Sequence, residues 1–522
     1  MTFRTCRFPA VLLVLLACSR PSAEQAAATP AGAPTGLTAI AATKNAVSLS
    51  WTASSGAGTR FVLERKPLGA SWAPPSPPKP SPIVTMNADG TSARDDRIEA
   101  RTTYVYRVRA LSAAGAPSAP SNEITIGPPP VGFTQILAAP PGDSQPGFAA
   151  AFSVTLDAND DPAVAYVVED PDANGDPADS TLSFLSWNRA SHRWNAPVTI
   201  ARVGAIDKGT PRSGLSLARD AVANRFGVAF NLSVDRELRV AFSEDGATWR
   251  QVAVVSGEDG AAAAASLALH DGRIYLAYQG EGDEGRRALH FESGAQTDPP
   301  SKWSSSRAPL LDGTWDVRRH GISVALDAAG RPGVAYWLNP SEGYNVTAAF
   351  WRPDEKSAIK VADSAGFQSD ITDLRLAFGG TTPSVLFYVR RNDRFFDNVD
   401  QVWFTNATAD GRTWSAPVPL PNDGGNSIGP PLALALDAHG RPIVTAQVDG
   451  GNGTGTRCGQ PKLLRPDAGN RWSICAPETK GSPTRDAWLP SIHVVDDAVL
   501  SVFRANGEGG TIKPGLVLWR ER

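Results

Sequence analysis

The chain has 522 residues, too many for one compact core, so two or three domains are expected. Hydrophobic residues make up 42% and charged residues 20%, which is enough apolar content for packed globular domains. A net charge of −3 supplies no basic field for nucleic acid and no acidic block of the kind that stays disordered. Glycine (48) and proline (43) are frequent and long runs of helix formers are missing, so apolar segments cut by turn residues predict an all-β protein.

Residues 1–18 read as a targeting segment and stand outside the fold. Arg4 and Arg7 form a basic start, and the apolar run Val11 to Leu16 is too short to span a bilayer. The run ends Leu15-Leu16-Ala17-Cys18, which resembles the lipobox of bacterial lipoproteins, with Leu16 a departure from the usual pattern. The resemblance implies export, cleavage before Cys18, lipid on its thiol and amine, and an anchor in the cell envelope at the outer membrane or cell surface. Residues 19–33, rich in Ala, Pro and Ser, are expected to be a flexible tether. With Cys6 removed and Cys18 lipidated, Cys458 and Cys475 remain, and in an oxidising compartment they are expected to form a structural disulfide.

Residues 34–127 carry strands whose apolar and polar positions alternate as in half-buried strands. Val47-Ser-Leu49-Ser-Trp51 and Phe61-Val-Leu63-Glu-Arg65 are strands with Trp51 inward. The segment Thr102-x-Tyr104-x-Tyr106-x-Val108-x-Ala110 resembles the tyrosine-corner strand of fibronectin type III domains, with Tyr104 at the corner. The resemblance implies that Tyr104 and Trp51 are core residues and that the module is a spacer or a partner-binding unit. Pro74 to Pro82 is an inserted loop.

After Pro128-Pro129-Pro130, expected to be a short stiff linker, a repeat fills 131–522. Its clearest copies are Ser323 to Tyr336 and Ala433 to Ala446: an apolar strand, a turn with Asp, Gly and Pro, and a second apolar strand. Weaker copies lie at Ser153 to Tyr166, Leu215 to Phe230, Ser266 to Tyr278, Leu374 to Phe387 and Ser491 to Phe503. These seven units predict seven blades of a β-propeller. The last unit lacks an outer strand, and Phe133-Thr-Gln-Ile-Leu137 has no blade before it. Pairing that segment into the last blade closes the ring and removes two exposed sheet edges.

Ser243-Glu-Asp-Gly-Ala-Thr-Trp249 and Thr408-Ala-Asp-Gly-Arg-Thr-Trp414 resemble degenerate Asp-boxes of sialidase-like propellers. Asp245 and Asp410 are expected to cap hairpins, and Trp249 and Trp414 to pack between sheets. Asp157, Asp327 and Asp437 recur at one turn of the repeat and are expected to cap it. Arg331 and Arg441 in those turns would pair with the aspartates or bind an acidic ligand. Asp170, Asp172, Asn174, Asp176 and Asp179 follow the first half of an oxygen-ligand calcium loop, and read either as a structural Ca2+ site or as a solvated acidic turn.

No catalytic residue is nominated. The inner strands are nearly all Ala, Leu, Val and Ser, the six histidines show no metal spacing, and no carboxylate pair emerges from spacing. The first expectation is a monomeric adaptor, anchored to the membrane by lipid alone, that recognises a glycan or an envelope protein through its propeller loops. The alternatives are a sialidase-like glycoside hydrolase, which the Asp-boxes imply, and an envelope-complex assembly factor. The hydrolase resemblance would also require an arginine cluster, a Tyr–Glu nucleophile pair and an acid Asp.

Overall fold

The computed structural model describes residues 32–521 apart from 55–59, 73–83, 89, 139–147, 172–176, 203–214, 233–236, 256–262, 319–320, 342–345, 364–372, 393–397, 409, 422–427, 449–460, 467–471, 476–490, 496 and 506–514. The chain divides into two compact units, the first built on the N-terminal sandwich and the second on residues 125–522 together with 41–47 and 95–104. Among the described residues the structure is strand and turn, with two single-turn 3-10 segments, Asp283–Gly285 and Pro300–Lys302.

The sandwich has two sheets. One joins Thr35–Ala42, Val47–Thr52 and Ser92–Asp95, and the other runs Val84–Ala88, Arg60–Pro67, Tyr104–Leu111, Ile124–Ile126. Alternation decides which side chains go inward: Val47, Leu49 and Trp51 are buried, and Trp51 meets Phe61 edge-on at 5.6 Å. The Tyr104 hydroxyl accepts the Glu99 N–H at 3.2 Å, so the corner expected from the sequence is present.

Seven antiparallel sheets follow, each the blade of a propeller. Blade 1 starts at Phe148–Leu156, blade 2 at Leu215–Asp220, blade 3 at Ala263–His270, blade 4 at Thr314–Val317 with Ser323–Leu326, blade 5 at Leu374–Gly379, blade 6 at Ile428–Leu436 and blade 7 at His493–Val495. The outer strand of blade 7 is Gly132–Ala138, paired antiparallel with Gly515–Arg520. The closure expected from counting strands is therefore made.

Each seam between blades has its own apolar cluster. Ala165, Leu182 and Phe184 meet Leu217 and Phe230 between blades 1 and 2, and Trp337 and Phe350 meet Leu376 and Phe387 between blades 4 and 5. The seventh cluster joins Val154, Tyr166 and Leu185 of blade 1 to Val502, Leu516, Leu518 and Ile136 of blade 7, which completes the ring. Side chains of the innermost strands add a polar stitch. The hydroxyls of Ser153, Ser216, Ser266 and Ser323 accept the backbone N–H of Leu217, Leu267, Val324 and Leu376 in the next blade, at 2.9, 3.0, 2.9 and 3.0 Å. At the seam of blades 5 and 6, Asp373 accepts the Leu432 N–H at 2.9 Å and Arg375 donates to the Leu432 carbonyl at 2.9 Å. His493 closes the ring by donating from Nε2 to the Val154 carbonyl at 3.0 Å. Burial holds this imidazole below its ordinary pKa, against the pull of that carbonyl, so it bridges as the neutral form at pH 7.

The triproline segment is more firmly held than a linker need be. Trp187 Nε1 donates to the Gly127 carbonyl at 2.9 Å, Gly127 N–H to the Arg189 carbonyl at 3.1 Å, and Arg520 to the Pro129 carbonyl at 2.6 Å. Proline has no N–H, so these stretches can be fixed only through their carbonyls, and here the first and last blades supply the donors.

Gly515, at φ +145, marks the tightest point of the closure: a Cβ there would lie 2.0 Å from the Leu137 carbonyl oxygen. Gly515→Ala is expected to cost about 1–3 kcal/mol in chemical denaturation. Gly380→Ala, at φ +65 with no atom within 4 Å of the new Cβ, should lose less. Equal losses would mean that the closing pair does not limit stability.

Candidate functional site

The strands of each blade alternate in direction, so the connections fall on two rims. Turns from first to second strands and from third to fourth strands share one rim. The longer connections, from second to third strands and from one blade to the next, share the other.

On the turn rim, polar side chains are consumed by local bonds. Asp157 accepts the N–H groups of Asn159 (2.7 Å) and Asp161 (3.0 Å); Asp327 accepts those of Ala329 and Arg331 (both 3.0 Å); Asp437 accepts those of His439 (2.9 Å) and Arg441 (2.8 Å). Arg331 and Arg441 turn back on their own aspartates at 2.9 and 2.6 Å, which decides between the two roles expected for them. In blade 1 the place of that arginine is taken by Asp161, and Arg189 binds it with two bonds of 2.8 Å. The Asp-box residues behave as their type predicts. Asp245 accepts the N–H groups of Ala247 and Thr248 at 2.8 Å, and Asp410 that of Arg412 at 2.9 Å. Trp249 packs on Phe184 at 5.1 Å and Trp414 on Phe350 at 5.5 Å.

The loop rim differs. Its described connections are Gly282–Arg286 in blade 3 and residues 308–313 leading into blade 4. Trp315, in the strand Thr314–Val317, is 48% exposed. Thr314 pairs with Pro340 and Asp316 with Asn339, so Trp315 is the extra residue of a β-bulge, a device that re-aims a side chain. The Arg286 guanidinium lies 5.3 Å from the Trp315 ring centroid. Arg286 also pairs with Glu284 at 2.7 Å; elsewhere on this rim Arg307 pairs with Asp283 at 2.8 Å and Asn339 Nδ2 donates to Asp316. Glu284, at φ 57, holds the tip of its loop in a conformation non-glycine residues seldom adopt.

A Tyr–Glu pair is present in blade 3. Tyr278 donates to Glu292 at 3.4 Å and Ser305 donates to the same carboxyl oxygen at 2.7 Å. Tyr278 and Glu292 are 6% and 8% exposed, and Tyr278 belongs to the apolar cluster with blade 2. Burial, then the charge of Glu292, pushes the Tyr278 phenol far above its ordinary range, and burial pushes Glu292 up. The pair is closed into a seam rather than presented to a ligand.

Asp172, Asn174 and Asp176 of the calcium loop, Cys18 and Cys458 lie outside the described residues. The backbones of Asp170 and Asp179 face each other across the second and third strands of blade 1, and Cys475 ends the strand Trp472–Cys475. Among the described residues, no three His, Cys, Asp or Glu side chains gather as a metal site. Trp315 was not singled out from the sequence. Its setting Asp312-Gly-Thr-Trp315 shares letters with the two Asp-boxes, whose tryptophans are inward, but is one residue short of them and lies between blades.

Residues 32–126 match the fibronectin type III domain family. No curated protein matches the chain. Among solved structures, an α-L-arabinofuranosidase of Fusarium graminearum bound to an iminosugar inhibitor is 11% identical, with 74% of this chain and 97% of that one covered at a TM-score of 0.44. An α-L-arabinanase of Penicillium chrysogenum with arabinobiose is 11% identical, with 75% and 98% covered and a TM-score of 0.41. An exo-1,5-α-L-arabinanase from a bovine ruminal metagenomic library is 13% identical, with 50% and 95% covered and a TM-score of 0.30. These neighbours are β-propeller glycoside hydrolases, and at such scores the likeness carries no argument about activity.

Asp327 gives the turn rim a pH signature. Burial raises its pKa, but the N–H groups of Arg331 and Ala329 and the Arg331 side chain outweigh burial and hold it below the usual value. Its stabilising share is complete above the unfolded-state pKa of about 4 and is lost as pH falls through the lower folded-state value. Its side chain is fully buried and also faces Arg352 at 3.2 Å. Asp327→Asn should therefore cost about 3 kcal/mol at neutral pH and flatten the acid limb of the stability profile. Denaturant midpoints from acid to neutral pH measure both, and an unchanged acid limb would assign it to other carboxylates.

Proposed function

We propose that this chain is a lipid-anchored adaptor of the cell envelope that binds a glycan with the loop rim of its propeller. The observation that supports the reading is the division of labour between rims. On the turn rim the recurring carboxylates and arginines are bound to their own turns, whereas the loop rim exposes Trp315 among charged side chains. An exposed large aromatic ringed by polar groups is what a recognition surface needs and a closed scaffold does not. The lipobox-like Leu15-Leu16-Ala17-Cys18 supports export and anchoring through Cys18, and residues 19–33 would hold the folded part away from the membrane. Asp170, Asp172, Asn174, Asp176 and Asp179 would stiffen one loop of the same rim by binding Ca2+, and a Cys458–Cys475 disulfide would fasten another.

Asp283, Glu284 and Asp316 on the loop rim favour glycoside hydrolysis as the second reading, because that chemistry needs two carboxylates beside a bound sugar.

Two measurements test the proposal. Cys18→Ala should shift the chain from the membrane fraction to a soluble, unlipidated form; continued membrane residence would remove the anchor from the account. The full chain, screened against envelope glycans with calcium and with chelator, should retain glycans without consuming them. Turnover of an arabinan or another glycan would move the assignment to the hydrolase.

A further inference from the structure

We propose that Trp315 is a stacking platform for a neutral pyranose ring, one subsite of the glycan-binding rim; the inference rests on the glycan-binding reading above. Sugar rings present a face of C–H groups to an indole and their hydroxyls to polar side chains, so the site needs an open aromatic face, rigidity and hydrogen-bonding groups of both kinds.

Trp315 stays 48% exposed with the Arg286 guanidinium 5.3 Å from its ring centroid, so the indole still presents area to solvent. Rigidity comes from the segment on either side. Thr314 N–H donates to the Leu311 carbonyl at 3.0 Å, Ser341 N–H to the Gly313 carbonyl at 2.8 Å, and the Tyr336 hydroxyl to the Pro309 carbonyl at 2.9 Å. Just past the tryptophan, the fully buried Gln279 donates to the Val317 carbonyl at 2.6 Å. A platform fixed before binding loses little entropy when the ligand arrives. The bulge gives Trp315 no partner opposite in the ladder, so its position serves exposure rather than pairing.

Polar groups of both kinds follow in the chain and across the ladder, in Asp316 and Asn339, which are half-buried and bonded to each other. Their pairing orients a carboxylate with lone pairs to spare and an amide with a second donor and a carbonyl. The class of sugar follows from charge. Arg286 is paired with Glu284 and Arg307 with Asp283, so these guanidinium groups are matched by carboxylates before any ligand arrives. An acidic sugar would have to displace those carboxylates, whereas a neutral pyranose leaves both pairs in place.

The test is an array of neutral and acidic glycans probed with the full chain and with Trp315→Ala and Trp315→Tyr, each checked for folding by circular dichroism. The expected result is retention of neutral pyranose glycans, a loss of about tenfold or more for Trp315→Ala, and near wild-type binding for Trp315→Tyr. Wild-type binding that Trp315→Ala leaves unchanged would overturn the subsite while the glycan reading stands. Retention of acidic glycans alone would overturn the neutral class. No retention by the folded wild-type chain would overturn the glycan reading and this inference with it.

Discussion

A propeller has an edge problem on its inside. The first strand of every blade faces the axis with backbone N–H and C=O groups that no further strand can pair, and a ring of seven sheets has seven such edges. Here the preceding blade supplies the partner. A serine placed opposite an alanine in its own blade (Ser153 and Ala165, Ser216 and Ala229, Ser266 and Ala277, Ser323 and Ala335) accepts an N–H from the next innermost strand. Each bond contributes only about 1 kcal/mol, but each satisfies an amide that would otherwise cost more, and it sets the register of one blade against the next. The seam clusters provide area; the serines provide alignment.

The same constraint explains where the repeat is relaxed. In blade 5 the serine is replaced by Arg375, and Asp373 takes over the acceptor role on Leu432 N–H while Arg375 takes the Leu432 carbonyl. In blade 6 Ala433 stands at the serine's place, and the bonds across that seam run instead from Ala438 N–H to Asp497 at 3.3 Å and from the Arg465 guanidinium to Glu521. The last seam uses a neutral histidine. Its far side is the outer strand contributed from residues 132–138, so one ladder, Gly132–Ala138 on Gly515–Arg520, holds the beginning and end of the ring together.

Much of the architecture was legible because it follows period and chemistry. Alternation around Trp51, the tyrosine corner at Tyr104, the Asp-bearing turns and the unpaired segment Phe133 to Leu137 each have a local signature, and all four hold in the structure. The stitch was not legible, since a serine among alanines and leucines carries no sign that its hydroxyl reaches a backbone more than fifty residues away. Nor was the grip on Gly127 and Pro129: their carbonyls accept from Trp187 and Arg520, and polyproline reads equally as spacer or as docked strand. Trp315 was hidden for a third reason. In sequence Asp312-Gly-Thr-Trp315 is one residue short of the Asp-Gly-x-Thr-Trp of the inward-facing turns and lies between blades.

Blade 4 shows how such an exception is accommodated. Its first strand is broken into Thr314–Val317 and Ser323–Leu326, with the bulge at Trp315 in the first piece. The break does not weaken the seams: Ser323 still accepts the Leu376 N–H and Val324 still donates to Ser266. Below the break, Trp337 is fully buried against Phe387, and Gly321, at φ +76, passes so close that a Cβ would sit 2.5 Å from the Trp337 ring. Arg318 N–H still donates to the Trp337 carbonyl at 3.0 Å, and Ser323–Leu326 pairs with the second strand in regular register, so the lower half of the strand keeps the ring's alignment. Proteins depart from the rules of their own repeat where a local gain outweighs the loss of regularity, and the departure here coincides with the exposed aromatic. The irregularity of this blade therefore lies at the loop rim, at the exposed Trp315, while the serine stitch runs through the regular part of the same strand.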